Sequence, residues 1–119
     1  VSSVIWYHGT KGDNIVSIVK SGSMRPRDGK IYFSSVSFGG CFAMGADTKR
    51  KACFVIKVAF ELPGGCSIEN KVTNVPGTKI LHTTSPLNVR VLEMYVRQKP
   101  GSTPLIFKTK VEILSFLEK

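Results

Sequence analysis

A strand-dominated α+β domain is the fold class this chain predicts, on three observations. Runs of β-branched and aromatic residues recur along it, at Val4 to His8, Lys30 to Ser34, Ala52 to Glu61 and Val89 to Val96. Helical spacing of apolar residues is confined to short stretches in the first half. With 119 residues, 42% of them hydrophobic, there is material for one core and for one domain spanning 1–119.

The first strand, Val4-Ile5-Trp6-Tyr7-His8, ends at Gly9. A short helix is expected next, capped by Asp13 or Asn14, with Ile15, Val16, Ile18 and Val19 as its apolar stripe and Gly22 as its stop. The turn from Met24 to Gly29 leads into a second strand, Lys30-Ile31-Tyr32-Phe33-Ser34. Ser34 or Ser35 can cap a short buried helix in VSFGGCFAMG, where Gly39 and Gly40 each cost roughly 1 kcal/mol but permit close approach. Beyond the basic loop Thr48-Lys49-Arg50-Lys51, the longest strand signal runs from Ala52 to Glu61 and is expected to be central. Leu62 to Pro86 is rich in Pro, Gly, Asn and Thr and reads as loop with one or two short strands. Two last strands are expected, Val89 to Val96 and Leu105 to Leu114, joined by the hairpin-like QKPGSTP.

Seventeen Lys and Arg against eight Asp and Glu give a net charge of +9. Such a balance favours a polyanion such as nucleic acid, or an acidic protein partner; the alternative is a merely solvated basic surface. No apolar run approaches the roughly 18 residues of a membrane span, so no membrane partner is expected. Cys41, Cys53 and Cys66 lack Cys-x-x-Cys spacing, and with only His8 and His82 to help they make a poor zinc set, so no metal is expected. Cys53, inside an apolar strand, reads as a small buried hydrophobe. Nothing matches a dinucleotide-binding or P-loop glycine fingerprint. A start at Val1 with no charged-then-apolar leader reads as a piece of a longer polypeptide or a processed product.

Glu93 is the most informative single residue. A period of two places it on one strand face with Val89, Val91 and Tyr95, where a lone carboxylate is costly unless paired, protonated or put to use. The other face is also mostly apolar, so a satisfied structural glutamate stands as the alternative. His8 at a strand end is open in the same way, although Gly9 beside it would let a ligand reach the backbone. Tyr32 alternates with Ile31 and Phe33 and shares a side with Ser34; a core aromatic is the bland reading.

The ordered set His8-Gly9-Thr10, Gly29-Lys30-Ile31-Tyr32-Phe33-Ser34 and Leu92-Glu93-Met94-Tyr95-Val96 resembles the His-Tyr-Glu class of ADP-ribosyltransferases, which includes diphtheria toxin and the poly(ADP-ribose) polymerases. The resemblance implies a split β-sheet core with two or so short helices, and NAD as co-substrate. It implies that Gly9 holds the nicotinamide amide through its backbone, that His8 bonds the adenosine ribose, and that Tyr32 stacks on the nicotinamide ring with Phe42 as a second wall. Thr10 and Ser34 belong to the same binding set. Glu93 would bind the ribose 2-hydroxyl, stabilise positive charge as nicotinamide leaves, and assist the acceptor.

Gly40 and Ala43 stand about where the polymerases carry a serine and a second tyrosine, and Val91 stands where arginine-modifying relatives carry Glu or Gln. A mono-ADP-ribosyltransferase acting on something other than arginine is therefore expected, as the toxin domain of a larger bacterial polypeptide of the Rhs type. Such a toxin would act in the cytoplasm of a target cell and be held by an acidic immunity protein. RNA is expected as acceptor ahead of protein, with Arg25, Arg27, Lys30, Lys49, Arg50 and Lys51 tracking phosphates. Rival readings are an RNA 2-prime-phosphotransferase, which has a histidine where this chain has Tyr32, and a catalytically inactive binding module.

Overall fold

Strand β1 (Ser3–Gly9) pairs with β5 (Ala52–Glu61) along its whole length, from Ser3 opposite Glu61 to Gly9 opposite Val55. On the outer side of β5 lies β9 (Arg90–Arg97), and beyond it β10 (Leu105–Phe107). On the other side of β1 come β3 (Lys30–Ser34), β7 (Thr78–His82) and β6 (Ser67–Asn70), and every pairing is antiparallel. Short β4 (Ala46–Asp47) pairs with the start of β5, while β2 (Ser23–Met24) and β8 (Leu87–Asn88) form a separate two-stranded piece. These positions come from a computed structural model that describes residues 3–118; Val1, Ser2 and Lys119, and with them the two ends of the expected domain, lie outside the described residues.

The mixed α+β class and the interior place of β5 agree with the sequence. So do the two short strands within Leu62 to Pro86. One junction divides the sheet: β1 and β3 meet only where Tyr7 stands opposite Ser34. Past that pair the backbone ladder between the two strands stops, leaving a seam between a half built on β1, β5 and β9 and a half built on β3 and β7.

Each sheet face has its own core. On one, Trp6, Phe33, Phe54, Ile56, Val58, Phe60, Met94 and Val96 pack beneath α1 (Gly12–Ser21) and α2 (Lys110–Leu117). Full burial of a side chain such as Phe54 or Ile56 contributes roughly 1.5–3 kcal/mol. The other face carries a smaller cluster of Cys41, Phe42, Val55 and Tyr95, with Tyr7, Phe38 and Val75 packed on it, covered by the 3-10 helix Gly39–Gly45.

Several expectations are corrected. The last strand stops at Phe107, and α2 follows where a continuous strand to Leu114 is expected. Thr109 accepts from the Glu112 amide at 3.1 Å and donates to the Glu112 carboxylate at 2.9 Å, a side-chain N-cap that starts the helix. Helix α1 opens at Gly12, ahead of both expected caps. Its cap is distant in sequence: the Asp47 carboxylate accepts the Gly12 amide at 3.0 Å, while Asn14 donates to Thr10 Oγ1. Gly22 ends α1 with φ 71° and donates back to the Ile18 carbonyl. The glycine-rich helix is 3-10, and Ser34 caps the turn before it by accepting from the Val36 and Ser37 amides. Cys53 is only half-buried; Cys41 is the buried thiol, pushed up to about 11 by that burial. Among the described residues no helix is long and apolar enough to cross a membrane.

Candidate active site

Strand β9 carries a bulge. Val58 stands opposite Val91 and Lys57 opposite Glu93, so Leu92 is one residue more than β5 can match. The extra residue breaks the period of two. Val89 and Val91 pack against the main core, whereas Glu93 and Tyr95 turn to the other face. The expectation of one shared face for all four is thereby corrected.

On that face Glu93, Lys57, Tyr7 and Ser34 form one row across four strands. Tyr95, two residues on, donates its hydroxyl to Glu93 Oε1 at 2.5 Å, and Lys57 Nζ lies 3.7 Å from the same oxygen. Tyr95 is itself held flat against Phe38, with ring centroids 4.2 Å apart and planes 2° from parallel. Tyr7 leans on both rings at 6.1 Å. The Glu93 side chain is 23% exposed, enough for a small group to reach it at the edge of this aromatic cluster.

His8 behaves differently. Its register partners Ile56 and Met94 belong to the main core, and its ring lies 5.6 Å from Phe33, so it stands on the face away from Glu93. Its Nδ1 lies 2.6 Å from the Tyr32 carbonyl oxygen, which can only accept, so Nδ1 carries the proton and Nε2 is left as an acceptor. Burial pushes this imidazole below its ordinary value, against an upward pull from the bond to Tyr32. The ring therefore bridges the seam as a neutral group.

Gly9 closes β1 beside it. Thr10 donates to the Phe54 carbonyl, and since neighbouring residues in a strand aim their backbone groups to opposite edges, the Gly9 amide and carbonyl are directed toward β3. That edge is where the ladder between β1 and β3 has ended. Tyr32 is 41% exposed and points to the Glu93 face, because Ile31 and Phe33 on either side are buried in the main core. Three strand spacings of about 4.8 Å put its strand roughly 14 Å from that of Glu93.

In comparison with known proteins, no family model, no curated protein and no solved structure matches the chain. His8, Gly9 and Tyr32 come together at the seam, and Glu93 sits apart with Tyr95, which alternation placed on its face, and with Lys57, Tyr7 and Phe38, which sequence reasoning missed. Lys57 had a partial signal: it is the one charge inside the apolar run Ala52 to Phe60, although its place opposite Glu93 comes only from the register.

The remaining expected residues have structural work. Thr10 is buried and orients Asn14. Ser34 is fully buried, donating to the Pro76 carbonyl at 2.7 Å. Phe42 is 2% exposed, in T-shaped contact with Phe38 at 6.0 Å and with the Arg97 guanidinium 4.6 Å from its ring centre, so its burial leaves no ring face open to a nicotinamide. Arg50 is committed to Asp47 at 3.1 Å, Asp13 at 2.8 Å and the Leu117 carbonyl at 3.2 Å. Arg25, Arg27, Lys30, Lys49 and Lys51 are exposed, though Lys49 lies 3.7 Å from Asp13. Among the described residues no group of three or more His, Cys, Asp or Glu side chains is arranged to hold a metal ion.

Proposed function

We propose that the chain is an NAD-dependent mono-ADP-ribosyltransferase, the toxin domain of a larger bacterial polypeptide, with RNA as its acceptor. The observation that carries this reading is the Leu92 bulge, which turns Glu93 out of the main core and presents it, half-buried, beside a packed aromatic cluster. Bulges beside active sites commonly re-aim one side chain in this way.

The donor set suits NAD in kind. Gly9 offers an amide and a carbonyl to a carboxamide, His8 Nε2 offers an acceptor to a ribose hydroxyl, and Tyr32 offers an exposed ring face. Bound NAD supplies the ADP-ribose group and a nicotinamide leaving group. Glu93 contributes a fixed negative charge beside the reacting ribose and can take the acceptor's proton at its free oxygen. His8 stands on the sheet face opposite to Tyr32 and Glu93, so a ligand that meets all three passes through the seam between β1 and β3, which suits an extended dinucleotide better than a compact ligand.

The acceptor reading rests on charge placement. The register brings Lys30 at the start of β3, Lys49 and Lys51 before β5, and Arg97 and Lys99 at the close of β9 to one end of the sheet, the end at which Gly9 lies. A clustered basic end is a phosphate-tracking surface. An acidic immunity protein would suit the same charge.

The test is incubation of the chain with labelled NAD and, separately, RNA, DNA and protein extracts, repeated with Glu93→Gln. Label passing to RNA, with a loss of about 100-fold or more in the variant, is the expected result. No NAD cleavage in any mixture overturns the enzyme and leaves a binding module; transfer to protein alone overturns the acceptor; equal activity in the variant removes Glu93 from the chemistry.

A further inference from the structure

We infer that Tyr95 is a positioning residue for Glu93, assisted by Lys57: both contacts fall on Oε1, so that Oε2 is the oxygen presented to substrate. The inference rests on the transferase reading above and assigns the parts of its site. Tyr95 donates to Oε1 at 2.5 Å, and the Lys57 ammonium lies 3.7 Å from that same atom. A carboxylate with both protein contacts on one oxygen is fixed about its last torsion with the second oxygen aimed away from the anchor.

The anchor is rigid for reasons visible around it. Tyr95 is 4% exposed, its ring is stacked on Phe38, and Tyr7 closes a second side. Its phenol remains a donor at all ordinary pH, since burial, and after it the hydrogen bond and charge of Glu93, push its ionisation well above the usual value. Lys57 reaches Oε1 from the position directly opposite on β5. Removing either contact frees the carboxylate to rotate, and misplacement by about 1 Å can cost on the order of 100-fold in rate.

Tyr95→Phe keeps the ring and its stack and removes only the hydroxyl; Lys57→Met removes the other contact and leaves the aromatic cluster untouched. The expected result for Tyr95→Phe is a kcat for NAD cleavage about 10- to 100-fold lower, with KM and the calorimetric Kd for NAD within about twofold. Lys57→Met should move kcat the same way by a smaller factor. Without NAD, proton NMR should show the Tyr95 hydroxyl far downfield in the unsubstituted chain, absent in Tyr95→Phe and displaced in Glu93→Gln. If the unsubstituted chain cleaves NAD and both variants keep its kcat, the positioning role is overturned and the transferase stands. If the unsubstituted chain neither binds nor cleaves NAD, the transferase reading falls and takes this role with it, even where the hydroxyl resonance is present.

Discussion

The carbonyl oxygen of Cys41 stands where a side chain on Gly9 would begin: a Cβ there would lie 2.1 Å from that oxygen and 3.0 Å from the Met44 Cβ. The glycine that closes β1 is thus required by the 3-10 helix packed on the sheet, before any ligand enters. Gly9→Ala should cost about 1–3 kcal/mol, because the helix must shift to admit the methyl. Urea unfolding of the chain without NAD checks this. An unchanged midpoint would mean that the helix can lift off Gly9 freely.

His8 predicts a pH dependence at the seam. Burial depresses the pKa of the folded ring below the unfolded value of about 6.5, so the unfolded chain binds the proton more readily. The contribution is fully present above about pH 6.5 and is lost progressively as pH falls toward the folded pKa. The two imidazole signals resolve by NMR once His82→Gln assigns them. The His8 midpoint should lie below that of a free histidine, and a midpoint at or above about 6.5 would contradict the seam geometry.

Much of the sheet is legible in the sequence because its strands are half or fully buried and keep a period of two. The signal fails where one residue changes the count. At Leu92 the bulge is invisible to alternation, so Glu93 is assigned to the face of Val91 when it stands on the opposite one. At Lys110–Leu117 the run Val111 to Leu114 reads equally well as strand or helix, and the Thr109 N-cap on Glu112 decides. The start of α1 is hidden for a different reason, since Asp47 supplies its cap across 35 positions of chain. Of the expected site, residue types at strand ends can be read directly, whereas the neighbours Tyr7, Phe38 and Lys57 come from register between distant strands.

Asp47 should account for part of the acid sensitivity of the fold. Burial at 5% exposure pushes its carboxyl up, but the Gly12 amide, the Arg50 amide and the Arg50 guanidinium outweigh that and hold it below the usual carboxylate range. Its stabilising effect is therefore complete above the unfolded pKa of about 3.9 and is lost as pH drops through the lower folded value. Asp47→Asn should cost about 1–3 kcal/mol at pH 7 and flatten the fall in stability below pH 4. Urea midpoints at pH 7 and pH 3 for both forms measure the two effects; an equal fall in both would clear Asp47 of the role.

If RNA is the acceptor, as proposed, the basic end of the sheet divides into lysines free to meet it and an arginine that is not. Lys49 and Lys51 are exposed at the turn before β5, while Arg50 between them points inward to Asp13, Asp47 and the end of α2. Replacing both lysines by glutamate should weaken RNA binding and lower the slope of log affinity against log salt by about 1.4, two phosphate contacts at roughly 0.7 each for a single strand. Lys71→Glu, beyond the far end of β6, should leave that slope unchanged. Arg50→Ala should instead lower the unfolding midpoint, because it strips the nearly buried Asp47 of its guanidinium partner. Filter binding across a salt series, with melting curves on the same variants, distinguishes the two classes. A slope that falls equally in Lys71→Glu would reduce the basic end to general surface charge.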